Sequence, residues 1–361
     1  MPELAVLVPG RIETRTGGYE YDRRIVAGLR DRGWRVDVHE LDASFPRPTP
    51  AARDDAARVL QKIPDGGLVI VDGLAFGAMP DQIEREATRL KIVALVHLPL
   101  ADEPGLDRER AVALEESERR ALASASLVVA TGRNTAAALN HKNGHCVPAG
   151  RIAVVEPGTD RVPVARGSIG APLHLLSVAA VTAGKGHEIL IRALAGVPHR
   201  HWLLTCAGSL DRDPATVERV RALLRDTELE QHVSLAGELD AGALDVYYNS
   251  ADVFVLATLH ETFCMAVAEA LAHGLPVVST RTGAIPELVR DGDDENRAGL
   301  LTPPGDQAAL TTLLTEITGN ARLRARLAEG ARRVREQLPT WDDAVDEMIA
   351  ALSRMTPDDA R

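Results

Sequence analysis

Short, unbroken apolar runs alternate with longer amphipathic stretches from one end of the chain to the other. Leu4–Pro9, Arg35–Leu41, Leu68–Asp72, Ile92–His97 and Leu127–Thr131 read as strands, and Tyr19–Arg32, Glu109–Ala125 and Asn134–Leu139 have helical spacing. In the first of these helices Ile25, Val26 and Leu29 share one face. The second half repeats the scheme, with strands at His174–Ala180, Trp202–Ala207, Val233–Ala236, Val253–Ala257, Pro276–Thr280 and Gly299–Thr302. Its helices fall at His187–Ala195, Ala215–Asp226, Ala243–Asn249, Phe263–Ala272 and Gln307–Ile317, with a last one at Trp341–Leu352. Val/Ile/Leu runs that alternate with helices predict parallel sheets covered on both faces. The expected fold is α/β, with two doubly wound Rossmann-like domains facing a cleft and ligands held by loops at the carboxyl ends of strands. Glu156–Pro172 is rich in Pro and Gly, lacks periodicity and reads as the linker. Domains are therefore expected at 1–160 and 161–340, with a closing helical segment at 341–361.

Composition narrows the function classes. The 361 residues carry a formal net charge of −11 and only 3% aromatics, which disfavours a nucleic-acid partner because there is little to attract phosphates or stack on bases. No run approaches the roughly 18 apolar residues of a membrane span, and Met1–Gly10 lacks a basic region ahead of an apolar one, so a cytoplasmic protein is expected. Cys146, Cys206 and Cys264 are far apart and read as buried thiols in a reducing compartment. Abundant Ala and Arg fit a GC-rich bacterial source. Arg322–Arg335 carries six arginines, but Leu323, Leu327 and Val334 form an apolar stripe, which favours a solvated helix face over a polyanion site.

Four loops carry chemistry. Helix Phe263–Ala272, with Thr262 as its expected N-cap, is apolar nearly all round and Glu269 is its only charge. Such a helix is buried, and its carboxylate needs a donor, either ligand hydroxyls or a core Arg. Glu261 stands eight residues earlier, about 12 Å along a helix, so the two carboxylates would bracket an elongated ligand. The N–H groups of Phe263, Cys264 and Met265 between them suit a phosphate. Alone, Glu261 is an ordinary first-turn acid. Lys185 lies between Gly184 and Gly186 after the first strand of the second half, a point charge for phosphate in a loop that is not a P-loop. Gly17 and Gly18 precede the first helix without dinucleotide-fingerprint spacing, which disfavours a dehydrogenase. His97 closes an apolar strand, either as a core histidine or as a cleft residue. The remaining histidines and the turns at Asp211–Asp213 and Asp291–Glu295 lack metal-ligand spacing, so no metal is expected.

Together these segments, with Val154–Asp160, Gly283–Glu287 and Gly299–Asp306, resemble retaining nucleotide-sugar glycosyltransferases of the GT-B fold, the family 4 or group 1 type. The resemblance implies that the second domain holds a nucleotide diphosphate sugar, the first supplies the acceptor side, and the helix around Trp341 crosses back to the first. Glu269 would accept from ribose hydroxyls, and Glu261 with Thr262, Phe263, Cys264 and Met265 would hold the sugar and phosphates. Lys185 would neutralise the diphosphate, Gly17 and Gly18 would approach it, His97 would contact the donor sugar, and Gly237 and Leu239 would face the base. The family's retention is attributed to attack from the leaving group's own face, and no metal or other cofactor is implied. Ala180 stands where many members carry Arg, with Arg281 a candidate replacement. A nucleotide-sugar epimerase or phosphorylase of the same fold, or a non-catalytic nucleotide-sugar-binding module, stays open as an alternative. So does the acceptor, small-molecule or lipid-linked: Arg23, Arg24, Arg30, Arg32 and Arg35 could give a peripheral membrane contact. Oligomeric state is not legible.

Overall fold

The computed structural model describes residues 1–103, 105–141, 144–168, 170 and 172–355. Parts of the expected linker (169, 171) and of the closing segment (356–361), with residues 104, 142 and 143, lie outside the described residues. The chain divides into two compact units, Met1–Gly158 with Pro339–Arg361, and Thr159–Leu338.

The first unit runs β1 (Glu3–Pro9), α1 (Gly17–Asp31), β2 (Arg35–Leu41), α2 (Pro50–Lys62), β3 (Leu68–Asp72), α3 (Gly73–Phe76), α4 (Pro80–Glu86), β4 (Lys91–Val96), α5 (Arg108–Ala123), β5 (Leu127–Ala130), α6 (Arg133–Asn140) and β6 (Ile152–Val154). Its six strands lie in the order β2-β1-β3-β4-β5-β6, all parallel. Every residue of Leu68–Asp72 is buried because helices cover both faces of the sheet. The apolar runs predicted as strands coincide with β1 to β5 to within a residue or so. Sequence periodicity missed α2, since its buried positions Ala52, Ala56 and Leu60 are mostly alanine and give little contrast, while Pro50 resembles a break. Here Pro50 is the first helical residue and Thr49 caps it, accepting from Ala52 N.

The second unit runs β7 (Leu173–Val178), α7 (His187–Ala195), β8 (Trp202–Ala207), α8 (Pro214–Asp226), β9 (Val233–Gly237), α9 (Ala241–Ser250), β10 (Val253–Leu256), α10 (Met265–Ala272), β11 (Val277–Thr280), α11 (Ile285–Leu288), β12 (Gly299–Thr302), α12 (Gln307–Gly319) and α13 (Ala321–Arg335). Its sheet is again parallel, in the order β12-β11-β10-β7-β8-β9. Three arginines of α13 serve the fold: Arg324 donates to the last carbonyls of α12, and Arg332 and Arg333 pair with Glu329.

The final helix, α14 (Trp341–Ser353), belongs to the first unit. A capping box of Thr340 and Asp343 starts it, and it packs on α1 with Arg32 paired to Asp342 and Asp346. Gly28 permits this approach: a Cβ there would sit 2.3 Å from Val345 Cγ2. None of the described helices is long and apolar enough to cross a membrane. One expectation fails on the surface: Cys146 is exposed, while Cys206 and Cys264 are buried. Cys146 sits in a turn at positive φ, where its thiol donates to the His141 and Gly144 carbonyls.

Gly28→Ala should lower stability by about 1–3 kcal/mol through overpacking, and Val345→Ala in the same chain should recover part of the loss, both read by denaturant unfolding. A second prediction concerns His187, which is 1% exposed at the start of α7 with neither ring nitrogen hydrogen-bonded among the described residues. Burial, then the Lys185 charge, pushes its pKa down to about 4. The unfolded chain binds a proton near pH 6.5 that the folded one refuses, so this contribution to stability is lost as pH falls from about 6.5 to 4. His187→Leu should flatten that limb of the unfolding midpoint against pH.

Candidate functional site

The functional side chains fall into two groups, one in each unit. In the second unit β7 and β10 are neighbouring parallel strands, so the loops that follow them leave the same end of the sheet. The loops interlock: Leu259 N donates to the Gly184 carbonyl at 2.8 Å, and the Thr258 hydroxyl donates to it at 3.3 Å. Gly186 is required, with φ +68° and a position where a Cβ would lie 1.9 Å from the Ala257 carbonyl oxygen. The loop after β11 braces the assembly, since Ala284 N donates to Thr262 O at 2.9 Å.

This framework brings Lys185 Nζ to 2.5 Å from Glu261 Oε1. Burial disfavours the ammonium, but the Glu261 carboxylate outweighs it and holds Lys185 above the ordinary lysine range. Cys264 itself is a thiol, pushed well up by burial and then by Glu261.

The start of α10 differs from expectation. The helix begins at Met265, after Cys264 in the left-handed region at φ +71°, and Thr262 is not its cap. Thr262 instead offers its carbonyl to Ala284, and Phe263 packs into a small cluster with Ala268 and Ala284. Of the three expected amides only Met265 lies in the first turn, and the helical rise assumed between Glu261 and Glu269 does not apply to residues 261–264. The physical cause is the bracing loop, which captures backbone that a lone helix would have left free.

Glu269 on α10 is half-buried, and its donor is neither a core Arg nor a ligand alone. The Tyr248 hydroxyl on α9 donates to Glu269 Oε2 at 3.0 Å. The Tyr248 ring stacks on His273 at 4.6 Å, and His273 Nε2 lies 2.9 Å from Asp245 Oδ1. Sequence reasoning missed this network because the partners lie on two helices with no local pattern linking them. Gly237, with φ +74°, ends β9 and accepts from Gly208 N, and Leu239 follows before α9.

In the first unit Thr16 caps α1, and Gly17 and Gly18 form its first turn. A Cβ on Gly18 would meet His97 Cδ2 at 3.5 Å, so the glycine lies against the imidazole that follows β4. His97 Nε2 is 3.1 Å from Asp22 Oδ1 and 3.6 Å from Asp72 Oδ2. Asp22 and Asp72 carried no signal in the sequence: one is a helix residue and the other merely ends a strand. The donor atoms of the three lie within 4.8 Å of one another.

Other candidates resolve differently. Arg281, considered as a replacement for the Arg missing at Ala180, is ion-paired with Asp291. On α1 and after it, Arg23 and Arg24 pair with Glu20, Arg30 donates to Val36 O, and Arg35 pairs with Glu3. With Arg32 on α14, each of these five cations has a partner. Asp213 and Asp293 accept from neighbouring backbone N–H groups, as acidic turns do.

Residues 165–334 match the family model Glycosyl transferases group 1. The chain is 29% identical over 255 residues to a D-inositol 3-phosphate glycosyltransferase of Xylanimonas cellulosilytica, covering 66% of this chain and 59% of that protein. It is 32% identical over 185 residues to the putative colanic acid biosynthesis glycosyltransferase WcaL of Salmonella typhimurium, covering 47% and 43%. The chain thus spans about half the length of the curated relatives it matches. Among solved structures it resembles a sucrose-phosphate synthase from Thermosynechococcus elongatus, at TM-score 0.80, 20% identity and coverage of 98% and 99%. It also resembles Anabaena HepE in complex with UDP-glucose, at TM-score 0.76, 17% identity and coverage of 98% and 99%. The two-sheet architecture is the GT-B fold. The likeness to the group 1 glycosyl transferases thus lies in the second unit, over residues 165–334.

Tyr248→Phe should cost about 1–2 kcal/mol in denaturant unfolding, because it removes one hydrogen bond to a half-buried carboxylate while keeping the ring stacked on His273.

Proposed function

We propose that this chain transfers a hexose from a nucleotide diphosphate sugar to an acceptor hydroxyl, with retention of configuration and without a metal ion. The observation that carries the reading is the Lys185–Glu261 pair at the head of α10, a cation and a carboxylate presented together by interlocked loops at the carboxyl end of a parallel sheet. The likeness to a protein solved with UDP-glucose and to enzymes named glycosyltransferases supports it.

Breaking the bond from the sugar's anomeric carbon to the phosphate oxygen leaves the electron pair on the diphosphate. Lys185 and the first-turn N–H groups of α10, including Met265, stabilise that charge. Glu261 accepts from sugar hydroxyls once the donor draws Lys185 toward its phosphates. Glu269, oriented by Tyr248, accepts from the ribose hydroxyls, and backbone at Gly237 and Leu239 faces the base. In the first unit, His97 with Gly18 against its ring is the candidate for ligand contact. The acceptor hydroxyl attacks the anomeric carbon on the face the leaving group vacates, and its proton passes to a phosphate oxygen. The internal pairing of the α1 arginines favours a small-molecule acceptor over a lipid surface, and a cytoplasmic site of action accords with two buried thiols.

A panel of nucleotide sugars, read by thermal shift and nucleotide release, tests the reading. One donor should raise the unfolding midpoint, and turnover should persist in EDTA. Lys185→Ala should slow turnover about a hundredfold or more, and Glu269→Ala should weaken donor binding. Absence of stabilisation by every donor, or unchanged binding in both variants, would overturn it. An isomerised donor formed without acceptor would point to an epimerase instead.

A further inference from the structure

His97 is held at one ring nitrogen only. Its Nε2 is 3.1 Å from Asp22 Oδ1 and 3.6 Å from Asp72 Oδ2, and both carboxylates are buried, at 2% and 4% exposure. Asp22 Oδ2 is buried with no hydrogen bond. Asp72 spends its other oxygen on the backbone, where Oδ1 accepts from Leu74 N at the start of α3. The Tyr21 ring meets the imidazole edge-on at 5.3 Å while its hydroxyl donates to Val155 O, and the Thr135 hydroxyl donates to the His97 carbonyl. Among the described residues Nδ1 makes no hydrogen bond, and it is not one of the buried unpartnered atoms. The ring is therefore clasped at Nε2 and open at Nδ1.

We propose that Asp22 and Asp72 are positioning residues that clasp His97 as an imidazolium and present its Nδ1–H to a hydroxyl of the bound sugar. The inference rests on the glycosyl-transfer reading above. Two carboxylates around one imidazole edge favour the charged ring and offset its charge. A charge-assisted hydrogen bond is thus offered without opposing the positive charge that grows on the sugar ring. The electrostatics agree. Burial works against a charged His97, but Asp22 and then Asp72 outweigh it and raise its pKa; burial and then Asp22 push Asp72 up to about 7. Of the described charged or titratable groups, Asp22, Asp72 and Tyr21 face the ring.

The test is an NMR titration of the imidazole in the full-length, ligand-free protein, assigned by difference from His97→Gln. Wild-type His97 should titrate above 6.5, and Asp22→Asn should move it down by about one unit or more. Asp72→Asn should move it less. Wild-type titration at or below 6.5, or no movement in Asp22→Asn, would overturn the clasp, and the wild-type measurement stands even where a variant fails to fold. Stoichiometric zinc binding that abolishes the titration would also overturn it, since the three groups would then be metal ligands. In turnover, the basic limb of the pH profile of donor KM should shift to lower pH in Asp22→Asn, with kcat/KM down about tenfold at pH 7.5 and partial recovery in Asp22→Glu. A chain that clasps His97 but turns over no nucleotide sugar refutes the proposed activity and leaves the clasp standing; turnover with an unshifted limb refutes the sugar contact.

Discussion

The arrangement of the second unit depends on one hydrogen-bonded junction, where the loop after β7 offers the Gly184 carbonyl to the loop after β10. Parallel strands end on the same side, so neighbouring strands deliver their loops to one place without any further device. The junction then fixes what those loops carry. Lys185 and Glu261 are 76 residues apart in the chain, and their contact follows from the register of β7 against β10. A side chain at Gly186 would run into the Ala257 carbonyl, so the junction also dictates the residue type at its tightest point.

The same economy appears in the two carboxylate networks. Glu269 and His97 are each oriented from a helix remote in sequence: Tyr248 donates to the first, and Asp22 accepts from the second. With 3% aromatics the protein has few rings to spare, and it commits Tyr21 and Tyr248 to flanking functional side chains. What remains for a polar ligand is hydrogen bonding and charge.

Much of the fold was readable because buried parallel strands must be apolar on both faces, and runs such as Leu68–Asp72 therefore stand out against amphipathic neighbours. Elements were lost where contrast was weak, as in alanine-lined α2. Among the candidate residues of the two units, Lys185, Glu261, Glu269 and His97 were visible as charged or polar residues in apolar or glycine-rich settings. Their partners Asp22, Asp72 and Tyr248 were not, because a helix residue among other polar ones or a strand-ending acid has nothing unusual around it in the chain.

The sequence by itself determined the α/β class, most element positions and the charged and polar residues of the candidate site, since these follow from short-range periodicity and local charge. The tertiary structure alone decided that α10 begins at Met265 and that Thr262 serves a neighbouring loop. It alone paired Tyr248 with Glu269 and set two carboxylates around His97. Those outcomes are contacts between segments distant along the chain, and no local pattern encodes a distance that only packing creates.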